Sequence, residues 1–178
     1  MNGRASPFAA GTILHLHGAE LATSGTPLAC PDWSIAAGDA WFVAGGAGTG
    51  KTTLLRAIAG LESPAAGRIE FLGADWANLS EGAGLDYRRR IGIVLCQGAG
   101  LFHQFTVLEN IELPLRYHGG LSSGQVRDRA RALMAALKLE RFSDAPSVRL
   151  PPGVARRVQL ARALAMDPEV LLLDDPCS

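Results

Sequence analysis

Short apolar runs alternate with longer segments of helical spacing along this chain. Residues 12–17 and 26–35 predict two strands, and the turn-prone Thr23-Ser24-Gly25 between them indicates an antiparallel flap. Residues 40–44, 68–72 and 169–174 also predict strands. The run 91–96 is apolar throughout, which is typical of a strand buried in a parallel sheet. The pattern therefore indicates an α/β fold with a small antiparallel part.

Three segments have the spacing of helices. Residues 53–59 follow a glycine-rich stretch and end at Gly60, a helix-stopping residue. In 123–139, apolar residues recur at three- and four-residue intervals, which predicts an amphipathic helix with its arginines on the other face. We interpret those arginines as a solvated surface in preference to a site for acidic lipid or nucleic acid. A further helix is predicted over 154–166, after Leu150-Pro151-Pro152-Gly153 and before Asp167-Pro168.

The glycine-rich stretch from Gly45 to Thr52 fits the phosphate-loop pattern of glycine, four free positions, Gly-Lys and Ser or Thr. Its glycines permit backbone torsions that let successive N–H groups converge on phosphate oxygens. The helix that follows adds partial positive charge at its N-terminus. Lys51 can reach the terminal phosphates, and the Thr52 hydroxyl can bind Mg²⁺. The predicted strand before the loop and helix after it are the context that this motif requires.

Lys51 is chemically unusual in this chain. Of 17 basic residues only Lys51 and Lys138 are lysines, so a basic position without special demands is usually arginine. A compact ammonium group fits inside a phosphate loop, where a planar guanidinium is too broad. The alternative, a glycine-rich turn with an incidental lysine, is disfavoured by the flanking strand and helix.

The predicted strand at 169–174 ends in two acids, Asp174 and Asp175. This is the Walker B arrangement of phosphate-loop enzymes, in which the first acid helps to hold Mg²⁺ beside the loop threonine and the next can align the attacking water. An apolar strand that ends in two acids is common by itself. Together with the phosphate loop it indicates a nucleotide site.

Composition limits the other possibilities. The 178 residues are 48% hydrophobic and 19% charged with zero formal net charge, which suits one globular domain and gives no broad electrostatic attraction to nucleic acid. No apolar run approaches the roughly 20 residues that span a bilayer. The three cysteines and four histidines lack ligand spacing, so we predict reduced packing cysteines and no metal role for the histidines.

From Gly38 onward the chain resembles the ATP-binding subunits of ABC transporters. Besides the two nucleotide motifs, Ile91 to Gln97 looks like the family's Q-loop strand and glutamine, and 150–164 aligns with its signature segment and helix. Residues 105–111 are also family-like. Residues 98–102 and 155–164 look most similar to subunits that energise phospholipid transport of the Mla type.

The resemblance implies a P-loop NTPase fold with a mainly parallel core sheet, an N-terminal antiparallel β flap and a helical subdomain. It implies one incomplete domain, with the flap and phosphate-loop core over 11–97, the helical subdomain over 98–166 and the Walker B strand over 167–178. The final strands are expected to be missing, because the chain stops at Ser178 before the family's D-loop and switch histidine.

The resemblance also implies ATP and Mg²⁺ as cofactors. The catalytic residues are then Lys51, Gln97 and Asp175, and the metal ligands are Thr52, Gln97 and Asp174. The residues that bind the nucleotide are Gly45, Gly46, Ala47, Gly48, Thr49, Gly50, Lys51, Thr52 and Thr53.

The expected partners are an integral-membrane transporter subunit, docked near residues 98–118, and a second ATP-binding subunit, which is either an identical or a different chain. No nucleic acid is expected. The location is cytoplasmic and peripheral on the inner face of the cell membrane.

The chain departs from the family in its signature segment, in the second acid after the Walker B strand and in the aromatic residue that stacks on adenine. Where the family has Leu-Ser-Gly-Gly-Gln, this chain has Leu-Pro-Pro-Gly-Val, and Pro151 and Pro152 carry no N–H for a γ-phosphate. Prolines are also common at the start of a helix, so Pro151 and Pro152 can begin a helix and lack these donors at the same time. Asp175 stands where the family has glutamate. No aromatic residue lies between Phe8 and Trp33, where the family stacks adenine, and we interpret Trp33 as a core residue.

Two functions follow from these matches and departures. The first is an ATP-hydrolysing subunit that powers an ABC transporter. The second is a nucleotide-binding subunit with little hydrolysis, which is regulatory or supplies a degenerate site to a partner. A P-loop kinase or GTPase has no support, since no guanine-specific motif or lid pattern is evident.

Overall fold

The computed structural model describes residues 11–95, 100–118 and 120–175. The chain divides into two compact units between Arg88 and Arg89. The predictions for residues 1–10, for Cys96 and Gln97 and for Cys177 lie outside the described residues. The three-part division by function, at 97 and 166, stays a prediction.

The first unit contains five strands and two α-helices in its described part. They are β1 (Thr12–Leu21), β2 (Leu28–Ala29), β3 (Trp33–Ala36), α1 (Lys51–Ile58), β4 (Ala66–Phe71), β5 (Ala74–Asp75) and α2 (Glu81–Arg88). Strand β1 is central: it pairs antiparallel with β2 and β3 on one edge and with β4 on the other, and β5 continues from β4. The predicted antiparallel flap is therefore confirmed.

One face of this sheet is the core of the first unit. Leu14 lies opposite Phe71 and Leu16 lies opposite Ile69, and all four side chains are almost completely buried. Because side chains alternate along a strand, the residues between them point to the opposite face. That opposite face carries His15, His17 and Glu70.

The first unit differs from the sequence-based prediction in two segments. The strand predicted over 26–35 is two short strands, and Pro31, which has no N–H for a sheet ladder, lies between them. The strand predicted over 40–44 is wrong: these residues have no regular secondary structure, and Phe42 is 88% exposed. An apolar run becomes a strand only where a neighbouring strand supplies hydrogen bonds, and 40–44 pairs with none among the described residues.

The second unit contains three α-helices and a pair of strands in its described part. They are β6 (Ile91–Val94), α3 (Val107–His118), α4 (Ser123–Ala136), α5 (Pro152–Leu164) and β7 (Val170–Leu173). Strands β6 and β7 are parallel, with Ile91 opposite Val170 and Val94 opposite Leu173. The prediction of a buried parallel strand at 91–96 is confirmed for its described part, residues 91–95.

The three helices enclose the core of the second unit. This core is formed by apolar side chains from all three helices and their connections: Leu101, Val107, Ile111, Ala130, Met134, Leu139, Val154, Val158 and Ala161. Helix α4 is amphipathic as predicted, with Arg127 and Arg131 exposed on its outer face. No described helix combines the length and apolar character needed to cross a lipid bilayer.

Candidate functional site

The phosphate-loop segment turns sharply into helix α1 within the first unit. Gly48 and Gly50 have positive φ angles of 76° and 91°, which residues with side chains rarely adopt. Gly50 is the N-cap of α1, and its carbonyl accepts the first helical hydrogen bond from the Leu54 N–H at 2.8 Å. The first-turn N–H groups of a helix have no intrahelical acceptor, so the loop ends on donors suited to an anion.

Lys51 folds back over the loop. Its Nζ donates hydrogen bonds to the carbonyls of Gly45 at 2.7 Å and Gly46 at 2.6 Å. The Thr49 hydroxyl donates to the Gly46 carbonyl at 3.0 Å. A Cβ atom on Gly45 would lie 2.7 Å from the Thr49 hydroxyl oxygen, so a side chain at this position would displace that hydroxyl from the loop. The ammonium group is thus held at the mouth of the loop by groups that it can exchange for phosphate oxygens.

A cavity of about 320 Å³ lies beside the loop. Its lining includes Gly45, Thr49 and Lys51 on the loop side and Leu28 and Trp33 from the sheet. Trp33 is half-buried, and its ring meets that of Trp41 edge-on with centroids 5.1 Å apart. Trp33, the predicted core residue, is therefore not fully buried and forms a wall of the space next to the loop. The volume falls in the range of small-molecule sites.

The two acids Asp174 and Asp175 follow β7 in the second unit. Asp174 is buried, and its N–H donates to the Val94 carbonyl at 2.8 Å, which extends the β6–β7 pairing by one step. Asp175 is exposed and has a positive φ of 49°. Aspartate is among the few side-chain-bearing residues that adopt this conformation readily. The chain therefore turns away from the sheet directly after Asp174.

Arg156 on helix α5 connects the ends of these two parallel strands. Its guanidinium donates to the Leu95 carbonyl at 3.4 Å and to the Asp175 carbonyl at 3.1 Å. Sequence reasoning did not identify this residue, because nothing in the helical pattern shows that its side chain reaches both strand ends. The acid-bearing turn is thus tied to the helix that follows the signature segment.

The Pro151-Pro152-Gly153 segment forms the exposed start of α5. Pro151 is the N-cap and Pro152 the first helical residue, and the Pro151 carbonyl accepts from Val154 N–H at 2.9 Å and Ala155 N–H at 3.0 Å. The prediction that these prolines begin a helix is confirmed. Neither proline has an N–H to offer a ligand.

The structure thus brings the phosphate-loop residues together in the first unit and the two acids together in the second. Gln97 lies outside the described residues, and the roles assigned to all these residues stay predictions.

A family model described as "ABC transporter" matches residues 28–178. The chain belongs to the ABC transporter family. Its relatives in this family are import and export components. One is the sulfate/thiosulfate import ATP-binding protein CysA of Caulobacter vibrioides, 41% identical over 148 residues, which are 82% of this chain and 42% of the relative. Another is the lipoprotein-releasing system ATP-binding protein LolD of Chromohalobacter salexigens, 36% identical over 152 residues, 85% of this chain and 63% of the relative.

Solved ABC structures share the fold. The ATP-binding cassette MJ0796, in a dimeric post-hydrolysis state bound to ADP and Pi, is 30% identical with a TM-score of 0.77 over 93% of this chain and 75% of that one. CbiO1 of Clostridium perfringens, part of the ABC transporter complex cbiONQ, is 28% identical with a TM-score of 0.76 over 92% of this chain and 65% of that one. The predicted P-loop NTPase fold class is confirmed.

This ABC chain spans 37–53% of the length of the methionine and sulfate import relatives that it matches. The assignment to the Mla-type subgroup stays a prediction.

Proposed function

We propose that this chain is the ATP-binding part of an ABC transporter subunit, which hydrolyses ATP to drive transport through a separate membrane subunit. The observation that carries the proposal is the loop from Gly45 to Thr52, with its left-handed glycines, its lysine folded over the loop carbonyls and its helix start. This combination binds polyphosphate because backbone donors, helix dipole and ammonium group all favour negative charge at one point.

Within this function, each loop residue has a defined task. Lys51 releases the Gly45 and Gly46 carbonyls and binds the terminal phosphates. The N–H groups of Gly48 to Thr53 bind phosphate oxygens along the loop. The adjoining cavity has room for the rest of the nucleotide, with Trp33 on its wall.

Magnesium fits the oxygen donors that this chain offers. Thr52 has a hydroxyl on the first turn of α1, and Asp174 has a carboxylate at the end of β7, and such hard oxygen ligands are those that Mg²⁺ prefers. We propose Thr52, Gln97 and Asp174 as its ligands because the family resemblance implies them. When bound, it neutralises charge on the phosphate oxygens. Asp175 and Gln97 would orient the attacking water.

The partners follow from the family. The relatives are named as import or release ATP-binding proteins, one solved relative is part of a transporter complex, and another is dimeric. We infer a second ATP-binding subunit, a membrane subunit that contacts the region 98–118, and a position on the inner face of the membrane.

The test measures ATP binding by titration calorimetry and phosphate release by the full chain. Lys51→Ala is expected to abolish binding at millimolar ATP with Mg²⁺. Lys51→Arg should fail as well, because the broad guanidinium does not fit the loop. Lys138→Gln is the matched control, since it replaces the other lysine, which lies after α4, and should bind ATP normally. Equal ATP binding by wild type and Lys51→Ala would refute the proposal.

A second candidate is a subunit that binds nucleotide but hydrolyses it poorly. The start of α5 favours it, because Pro151 and Pro152 remove two backbone donors that the family's signature offers to a partner's nucleotide. Loss of one preorganised donor typically costs about 10²–10³ in rate. Binding without turnover, with turnover restored by combining Pro151→Ser, Pro152→Gly and Asp175→Glu, would establish this candidate. Turnover by the unmodified chain would exclude it.

A further inference from the structure

We propose that the outer face of the antiparallel sheet contains a site for a divalent transition-metal ion, formed by His15, His17 and Glu70. One possible ligand atom from each residue lies within 4.8 Å of the other two. The three side chains are half-buried. This site shares no residue with the phosphate loop or with the two acids after β7.

The sheet itself brings the three residues together. His15 and His17 are two apart on β1, so their side chains share one face. Their rings stack with centroids 3.7 Å apart. Glu70 lies directly opposite His15 on β4 in the antiparallel register, so it belongs to the same face. Leu14 and Leu16, which alternate with the histidines, are buried on the opposite face and fix the register.

The donor set suits zinc and related ions. Two imidazole nitrogens and a carboxylate oxygen are common zinc ligands, with bonds of about 2.0–2.2 Å. In a tetrahedral site such ligands lie about 3.3 Å from one another. His17 Nε2 is already 3.2 Å from Glu70 Oε2, and all three ligand atoms lie within 4.8 Å of one another. Three protein ligands leave a fourth position for water.

His17 has a buried atom that a metal ion would satisfy. Its Nε2 is inaccessible to solvent and has no hydrogen-bond partner among the described residues. The contact with Glu70 is close enough for an ion pair, but it is not aligned as a hydrogen bond. A buried polar atom without such a bond is unfavourable. An ion between this nitrogen and the carboxylate would remove that deficit.

Arg68 is the competitor for the same carboxylate. Its Nε lies 2.9 Å from Glu70 Oε1, and its terminal nitrogen lies 3.4 Å from His17 Nδ1. The Arg68 side chain is half exposed, so it can swing into solvent when an ion binds. Where Nδ1 accepts from Arg68, Nε2 carries the single ring proton, so binding of an ion through Nε2 requires that proton to move to Nδ1 once Arg68 has left.

The site goes beyond the proposed function. The family model matches residues 28–178, which excludes both histidines. The sequence predicted no metal role for the histidines because their spacing matches no common ligand motif. On a strand, a spacing of two places both rings on one face, and Glu70 joins them only through strand pairing.

The experiment is a calorimetric titration of the nucleotide-free full chain with ZnCl₂ at neutral pH. We expect one saturable site. Removal of a residue that supports a metal ligand typically costs about 10–100-fold in affinity, so His15→Ala, His17→Ala and Glu70→Gln should each cost at least about 100-fold. Arg68→Ala should raise the affinity by up to about fivefold, since an exposed ion pair is worth little. His118→Ala, on α3, is the control and should bind as wild type.

Circular dichroism without metal identifies any variant that fails to fold. If His17→Ala fails to fold, the zinc affinity of Glu70→Gln tests the proposal instead, because this substitution keeps the shape of the side chain and removes its charge. The proposal is overturned if wild type has no saturable zinc site, or if Glu70→Gln and His15→Ala bind zinc as wild type does. These results do not depend on ATP binding.

Discussion

Replacing Asn110 with alanine should destabilise the second unit more than its small change in volume suggests. Asn110 is fully buried on α3, and its side-chain amide connects that helix to the backbone of residues 102–106. Its Oδ1 accepts from the Phe102 N–H at 2.8 Å. Its Nδ2 lies 2.9 Å from the Thr106 carbonyl, 3.2 Å from that of Phe102 and 3.3 Å from that of Phe105.

The magnitude follows from these contacts. An amide nitrogen has two hydrogens, so at most two of the three carbonyls are bonded well at once. Each net hydrogen bond is worth about 1 kcal/mol, and leaving the Phe102 N–H without its acceptor costs a further ~1–3 kcal/mol. The Phe102 carbonyl keeps a partner, because the Ser147 hydroxyl donates to it at 2.8 Å. The two donor bonds and the Phe102 N–H together therefore predict a loss of about 3–5 kcal/mol in the free energy of unfolding.

Urea unfolding followed by circular dichroism measures this loss. Ser147→Ala is the matched control, because it removes one hydrogen bond to the same segment and should cost only about 1 kcal/mol. The slope of the transition should be unchanged in both variants. If Asn110→Ala costs no more than Ser147→Ala, the amide does not hold the 102–106 segment and the reasoning is wrong.

Three further predictions concern the sheet and the strand ends. Gly67→Ala should lower the melting temperature sharply, because φ of Gly67 is +71° and a Cβ there would lie 2.3 Å from the Gly18 carbonyl oxygen. An unchanged melting temperature would contradict this close contact between the two backbones. Burial alone would raise the pKa of Glu70, but contacts including the hydrogen bond from Arg68 lower it below its ordinary value. The resulting stabilisation is present above the ordinary glutamate pKa of about 4.3 and is lost as pH falls through the lower folded pKa. Urea unfolding without metal should therefore show that wild type exceeds Glu70→Gln in free energy of unfolding most near neutral pH, and that this excess vanishes at strongly acidic pH. An excess that does not change with pH would refute this. On the proposed function, Arg156→Gln should lower the rate of ATP hydrolysis about tenfold with little change in ATP affinity, because it loosens the strand ends that carry the acids; equal rates would show that it does not position them.

Several features could be read from the sequence because they depend on neighbouring residues. The loop from Gly45 to Thr52 is recognisable because its glycines, lysine and threonine act within eight consecutive positions. Helices α4 and α5 follow from apolar spacing and helix-breaking residues. The predicted start of α4 agrees with the observed one, its predicted end lies three residues too late, and both predicted ends of α5 lie two residues too late. Strand β6 follows from its continuous apolar run, because a strand covered on both faces needs no alternation.

Features that depend on distant pairing were decided by tertiary structure alone. The run at 40–44 is apolar enough for a strand, yet it pairs with no described strand. The apolar character of a segment does not show whether a neighbouring strand is available to pair with it. Arg156 reaches carbonyls 61 and 19 positions away. His15 meets Glu70 only because β1 and β4 pair in one register. A local pattern fixes which face a side chain occupies, but only the folded chain decides what lies opposite it.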